Sequence, residues 1–156
     1  RRDMRKPEYV DELHGMDALD SLLPRADVVA LSLPQSPETR GIMNARRLAL
    51  MKKGSILINV GRGSAVDQEA LAEALNSEHL GGAALDVAVP EPLPPEDPIW
   101  KAKNILITPH VSGGWSLPST LDRIMDIFLE NLKAWQEGKT LRNLVDRESG
   151  YRRTPE

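Results

Sequence analysis

Hydrophobic positions fall into short runs separated by polar, proline-rich or glycine-rich segments. The clearest run is 55–60, SILINV, β-branched at Ile56, Ile58 and Val60. Its length and flanking glycines suit a strand buried on both faces of a parallel sheet. Three further runs read the same way: 28–33 closed by Pro34, 83–87, and 104–108 closed by Pro109 and His110. Helical stretches lie between them. Residues 14–23 predict a short helix stopped by Pro24, and 45–51 predict another. A third helix, capped by Asp67, runs through Ala70, Leu71 and Leu75 and ends at Gly81-Gly82. A proline-dense loop at 90–98 leads to Trp100 and the last strand.

This alternation predicts an α/β fold with a doubly wound parallel sheet. The longest helix, 116–138, follows the sheet. Leu117, Leu121, Ile124, Phe128, Leu132 and Trp135 make one apolar stripe, which Met125, Ile127 and Leu129 widen. Such a helix lies between two layers or meets another subunit. After Gly138 the tail 141–156 has no regular pattern and is expected to fray unless it docks.

Composition narrows the function classes. With 156 residues and 40% apolar content the chain can build a core, filled mainly by aliphatics because only three Trp, two Tyr and one Phe occur. The net charge is −3 with both signs interspersed, which argues against a nucleic-acid surface. There is no cysteine, and His14, His79 and His110 are far apart, so neither a disulfide framework nor a metal site is expected. No long apolar run and no signal peptide is present, so a membrane partner is not expected and a cytoplasmic protein is. The chain starts at Arg1 in polar residues that belong to no complete element, so it is expected to be a piece of something longer.

Arg62, Asp86, Glu91 and His110 all fall at or just after strand ends. In a parallel sheet those ends share one edge, so the four should converge. They supply a guanidinium that can grip a carboxylate and an imidazole with an acid partner, the parts needed to move a proton on a 2-oxo or 2-hydroxy acid. Gly61 and Gly63 flank Arg62 and should let a ligand approach its backbone. His14 and His79 read as surface residues. The segment 61–66, GRGSAV, could be mistaken for a dinucleotide fingerprint, but Val66 stands where a small residue is required. Any pyrophosphate loop is therefore expected upstream of Arg1.

The segments LPQSPETRGIMN, KKGSILINVGRGSAVDQEAL, LDVAVPEPLPPEDPIW and ITPHVSGG resemble successive signatures of the D-isomer-specific 2-hydroxyacid dehydrogenases. EPLPPEDPIW and the closing VDRESGY are most similar to the glyoxylate/hydroxypyruvate reductase group. The resemblance implies the second half of a Rossmann-type sheet with a long C-terminal helix. Residues 1–114 would complete the dinucleotide-binding domain, and 115–156 would return towards a substrate domain absent here. It implies that Arg62 binds the substrate carboxylate, that His110 is the general acid in reduction, and that Glu91 holds the imidazole and favours its proton-loaded form. Asp86 would bond the nicotinamide carboxamide, Leu33 and Pro34 would border the adenosine end, and Val60, Gly61 and Gly113 would line the cofactor cleft. Arg1 and Arg2 fall where the adenosine ribose is read, and arginines there suit the 2′-phosphate of NADP rather than NAD. The implied activity is hydride transfer to glyoxylate, hydroxypyruvate or a similar 2-oxo acid, and the broad stripe on the last helix suggests a homodimer. A phosphoglycerate or lactate dehydrogenase, or a non-catalytic NAD(H)-sensing regulator on the same fold, would carry similar residues. The chain alone is expected to be inactive.

Overall fold

Strands β1 (Val28–Leu31), β2 (Ile56–Asn59), β3 (Gly82–Leu85) and β4 (Ile105–Ile107) form one four-stranded sheet in the order β1-β2-β3-β4. Every pair is parallel. The computed structural model describes residues 6–113 and 117–147. It divides into two units, Arg1–Pro109 and His110–Glu156, and the sheet belongs to the first. Each strand is shorter than its apolar run, because the residues at the run's ends already belong to the connecting loops.

Helices α1 (Leu19–Leu22), α2 (Ala45–Leu50) and α3 (Gln68–Asn76) precede or join the strands. Asp67 caps α3 as the sequence predicts, accepting from the Ala70 N–H at 3.1 Å. Asn44 does the same for α2 through Arg47 N–H, also at 3.1 Å. The first α-helix ends at Leu22, just before Pro24, which lies in the 3-10 turn Leu23–Arg25 that follows it. Gly81 and Gly82, by contrast, do not end α3. That helix closes at Asn76, and Gly82 opens β3. Gly81 is needed instead for a close approach, since a Cβ there would stand 2.4 Å from the Gly54 carbonyl oxygen.

Burial corrects a larger expectation. Leu31, Leu57, Ala83 and Leu85 join Leu48 of α2 and Leu71 and Leu75 of α3 in one buried cluster. The alternate positions behave differently: Val28, Ile56 and Leu106 are 52%, 41% and 62% exposed. The register puts Val28 beside Ile56, and Ala30, Ile58, Ala84 and Leu106 in one row. Within this unit the sheet is therefore covered on one face, not both. The sequential order explains it. Each crossover steps the same way, and right-handed crossovers that all step one way lie on one face.

The second unit contains α4 (Pro118–Gln136), none of whose residues is buried. Its apolar stripe is present, but Leu121, Phe128 and Trp135 are 47%, 56% and 70% exposed. Gly138, at φ +66°, ends the helix, and the Lys139 N–H closes back on the Ala134 carbonyl at 2.8 Å. The first part of the tail docks on its own helix. Asn131 accepts from the Arg142 N–H at 2.7 Å and donates to the Arg142 carbonyl at 3.1 Å. Residues 148–156 lie outside the described residues. No helix among the described residues is long and apolar enough to cross a membrane.

Candidate active site at the carboxyl edge of the sheet

Leu31, Asn59, Leu85 and Ile107 form the last full row of the sheet. One step further, the N–H groups of Val60, Asp86 and Thr108 still donate across, to Leu31, Asn59 and Leu85 carbonyls at 3.0, 2.9 and 2.9 Å. Beyond these the chains part, and the loops that follow carry the expected site residues.

The turn at Arg62 is built from within by Asn59, a fully buried side chain at the end of β2. Its Oδ1 accepts from the Gly61 N–H at 3.1 Å, and its Nδ2 donates to the Arg62 carbonyl at 3.0 Å. Arg62 itself is extended and exposed, and its Nη1 donates to the Gly61 carbonyl at 2.7 Å.

The glycines on either side are required by close backbone approaches, since a side chain at either position would not fit. A Cβ on Gly61 would lie 2.7 Å from both N and O of Leu33, and one on Gly63 would lie 2.2 Å from the Ala88 carbonyl oxygen. The space is filled by the protein's own backbone. These contacts draw Leu33, and Pro34 after it, to one side of Arg62 and the loop after β3 to the other. The Pro34 loop is tied by Thr39, whose hydroxyl donates to the Pro34 carbonyl at 2.7 Å.

Asp86 is 5% exposed, and the Thr108 hydroxyl donates to its Oδ1 at 2.5 Å. Glu91 is exposed, and its Oε1 accepts from the Ala88 N–H at 2.9 Å. Leu33, Pro34, Val60, Gly61, Arg62, Asp86 and Glu91 are thus gathered on one edge of the first unit. His110 opens the second unit, directly after Pro109, with φ 54°. That left-handed backbone is uncommon for a side chain with a Cβ, although His is among the residues enriched there. Gly113, in the same unit, has no atom of the described residues within 4 Å of where a Cβ would stand. Arg1 and Arg2 lie outside the described residues. Among the described residues no cluster of three or more His, Asp or Glu could hold a metal ion.

His79, expected at the surface, has its Nε2 buried with no hydrogen-bond partner among the described residues. Asn59, Gln68 and Thr108 are the supporting residues that sequence reading missed. Asn59 could have been found, as a polar residue closing an apolar run. Thr108 likewise closes the run 104–108, whereas Gln68 carries no such signal.

The chain belongs to the D-isomer specific 2-hydroxyacid dehydrogenase family, whose NAD binding domain matches residues 2–112. It is 41% identical over 129 residues to the hydroxypyruvate reductase of Blautia hydrogenotrophica, covering 83% of this chain and 39% of that protein. It is 46% identical over 99 residues to the D-3-phosphoglycerate dehydrogenase of Escherichia coli, covering 61% of this chain and 24% of that one. The fold is similar, with a TM-score of 0.80 and 32% identity, to an NADPH-dependent glyoxylate/hydroxypyruvate reductase from Sinorhizobium meliloti solved with NADP and sulfate; the match covers 94% of this chain and 48% of that one. The chain thus spans less than half the length of each of these relatives.

Proposed function

We propose that the chain is the carboxyl-terminal portion of an NAD(P)-dependent D-2-hydroxyacid dehydrogenase that reduces glyoxylate, hydroxypyruvate or a similar 2-oxo acid. The observation that carries this reading is the gathering of Arg62, Asp86 and Glu91 on the carboxyl edge of a parallel sheet, in a chain of this family. That edge is where open α/β sheets bind ligands.

Arg62 pairs with the substrate carboxylate through its exposed guanidinium and polarises the neighbouring carbonyl. His110 delivers a proton to the carbonyl oxygen, so that C=O becomes CH–OH, and takes the proton back in the oxidative direction. Glu91 serves as the acid partner of His110 in this reading. The reduced nicotinamide supplies the hydride. Asp86, buried and braced by Thr108, would hold the carboxamide, and Leu33, Pro34, Val60, Gly61 and Gly113 would border the cofactor. The donor set fits the nicotinamide end. It does not supply the pyrophosphate loop, because Val66 stands where that fingerprint requires a small residue. Arg1 and Arg2 favour NADP through its 2′-phosphate, in line with the NADP-bound relative. A cytoplasmic homodimer, using the apolar stripe of α4, completes the reading.

The test is turnover of the full-length protein on a panel of 2-oxo acids, followed by loss of reduced-cofactor absorbance. His110→Ala should lower kcat on the order of 10²–10⁴-fold, the usual worth of a general acid. Near-normal turnover in that variant would remove His110 from the role. Arg62→Ala should raise KM and lower kcat together, and unchanged constants would refute its assignment. The 46% identity to a phosphoglycerate dehydrogenase supports a second reading, in which the same residues act on a phosphorylated acid. A kcat/KM highest on that substrate would decide for it. Tight cofactor binding without turnover on any acid would instead mark a sensor.

A further inference from the structure

The loop that carries Glu91 is not held by the sheet. The last sheet-type bond before it runs from the Asp86 N–H to the Asn59 carbonyl, at 2.9 Å. Gly63 packs against Ala88, and the Glu91 carboxylate folds back on the Ala88 N–H. A further tie comes from Gln68, the first residue of α3. Its Oε1 accepts from the Val89 N–H at 2.6 Å, and its Nε2 donates to the Val89 carbonyl at 3.0 Å. One side chain thus satisfies both backbone groups of Val89, as a neighbouring strand would. A primary amide offers an acceptor and a donor side by side in this way. Because Gln68 directly follows the Asp67 cap, this clamp fixes the Glu91 loop to the helix that begins after Arg62.

We infer that Gln68 is a positioning residue, whose carboxamide clamps the backbone of 88–91 and so sets where the Glu91 carboxylate stands. This rests on the function proposed above, in which Glu91 is the acid partner of His110. Gln68 acts through Val89 rather than on the reacting atoms. Its loss should therefore slow the proton-transfer step while leaving substrate and cofactor binding in place.

Two variants of the full-length protein test this. Gln68→Ala removes both bonds. Gln68→Glu keeps the acceptor but turns an anionic oxygen towards the Val89 carbonyl, and an acid in the first turn of α3 suits the helix dipole, so the fold is kept. Both should lower kcat on the order of tenfold or more, since small misplacements of catalytic groups are costly. KM for the 2-oxo acid and Kd for the reduced cofactor, read by its fluorescence, should stay within about twofold of the parent. The solvent isotope effect on kcat should rise as protonation becomes slower. A kcat within about twofold of the parent in either variant would overturn the inference. So would equal losses in kcat and cofactor affinity, which mark a merely structural role. If the parent protein reduces no 2-oxo acid, the proposed function fails and this inference falls with it. An active parent with unaffected variants removes Gln68 alone.

Discussion

Several single side chains act mainly on backbone. Asn59, Gln68 and Asn131 each use a carboxamide to give and take one hydrogen bond with main-chain atoms. Asn59 is the deepest of them. Asn59→Ala would leave the Gly61 N–H without its partner, while the Arg62 carbonyl keeps the Ala65 N–H at 3.1 Å, and should cost about 1–3 kcal/mol, the usual penalty for one buried group left unpaired. Chemical denaturation of the parent and variant would measure it, and a loss near zero would mean that water replaces the amide. Gly63→Ala meets backbone rather than a yielding side chain, because its Cβ would lie 2.2 Å from the Ala88 carbonyl oxygen. It should destabilise by at least about 1–3 kcal/mol, the usual cost of overpacking, and displace the Glu91 loop. Surface charge acts more locally. Hydrogen bonds from Arg25 and then His14 lower the Glu12 carboxyl from 4.5 to about 2. A depressed folded-state value means that the contribution of this trio is present above pH 4.5 and is lost as pH falls towards 2. Arg25→Ala should return the Glu12 titration towards 4.5, which carboxyl-carbon NMR can follow.

The elements were legible where periodicity carried them. All four strands and α2 to α4 stand where apolar runs and caps put them, because short buried runs and an Asp before a helix leave few alternatives. The clustering of Arg62, Asp86 and Glu91 followed from parallel topology alone. What was not legible depends on which segments touch across the sheet edge. The purpose of Gly61 and Gly63 is set by Leu33 and Ala88, which lie far from them in sequence. Uncovered apolar positions on one sheet face could not be read either, since the runs look alike whether one face or both are buried. The pairing of β3 with β4 gives a test at this scale. Thr108 is held by the Leu85 carbonyl through its N–H and by Asp86 through its hydroxyl, so the β4 end fixes the orientation of a buried carboxylate. Thr108→Val keeps shape and the backbone bond but removes the hydroxyl. It should cost about 1–3 kcal/mol, the penalty of a buried acceptor losing a partner, and weaken reduced-cofactor binding by roughly the matching factor. Titration of cofactor fluorescence checks the second part, and unchanged affinity with reduced stability would separate the fold from the site.

At the scale of the whole molecule, the two units share a surplus of exposed apolar surface. On the sheet, Val28 and Ile56 are register neighbours, and Leu106 stands in the next same-face row, 62% exposed. On α4, Leu121, Ile124, Phe128 and Trp135 follow the helical repeat and are 42–70% exposed. Monomeric proteins seldom leave contiguous apolar patches of more than a few hundred Å² in water. Each such side chain gains roughly 1.5–3 kcal/mol when fully buried, so covering several of them offsets the entropy of association. The 156-residue chain made by itself should therefore self-associate with rising concentration. Sedimentation velocity across a dilution series should show its mean mass increase, and a fluorescent apolar probe should bind it. Phe128→Gln with Trp135→Gln removes the largest rings of the α4 stripe, and Leu106→Gln breaks the sheet patch. If α4 is the principal contact, the helix pair of substitutions should return the chain to a monomer while Leu106→Gln leaves association in place. The reverse result would assign the contact to the open sheet face and remove α4 as the dimer surface proposed for the full-length protein.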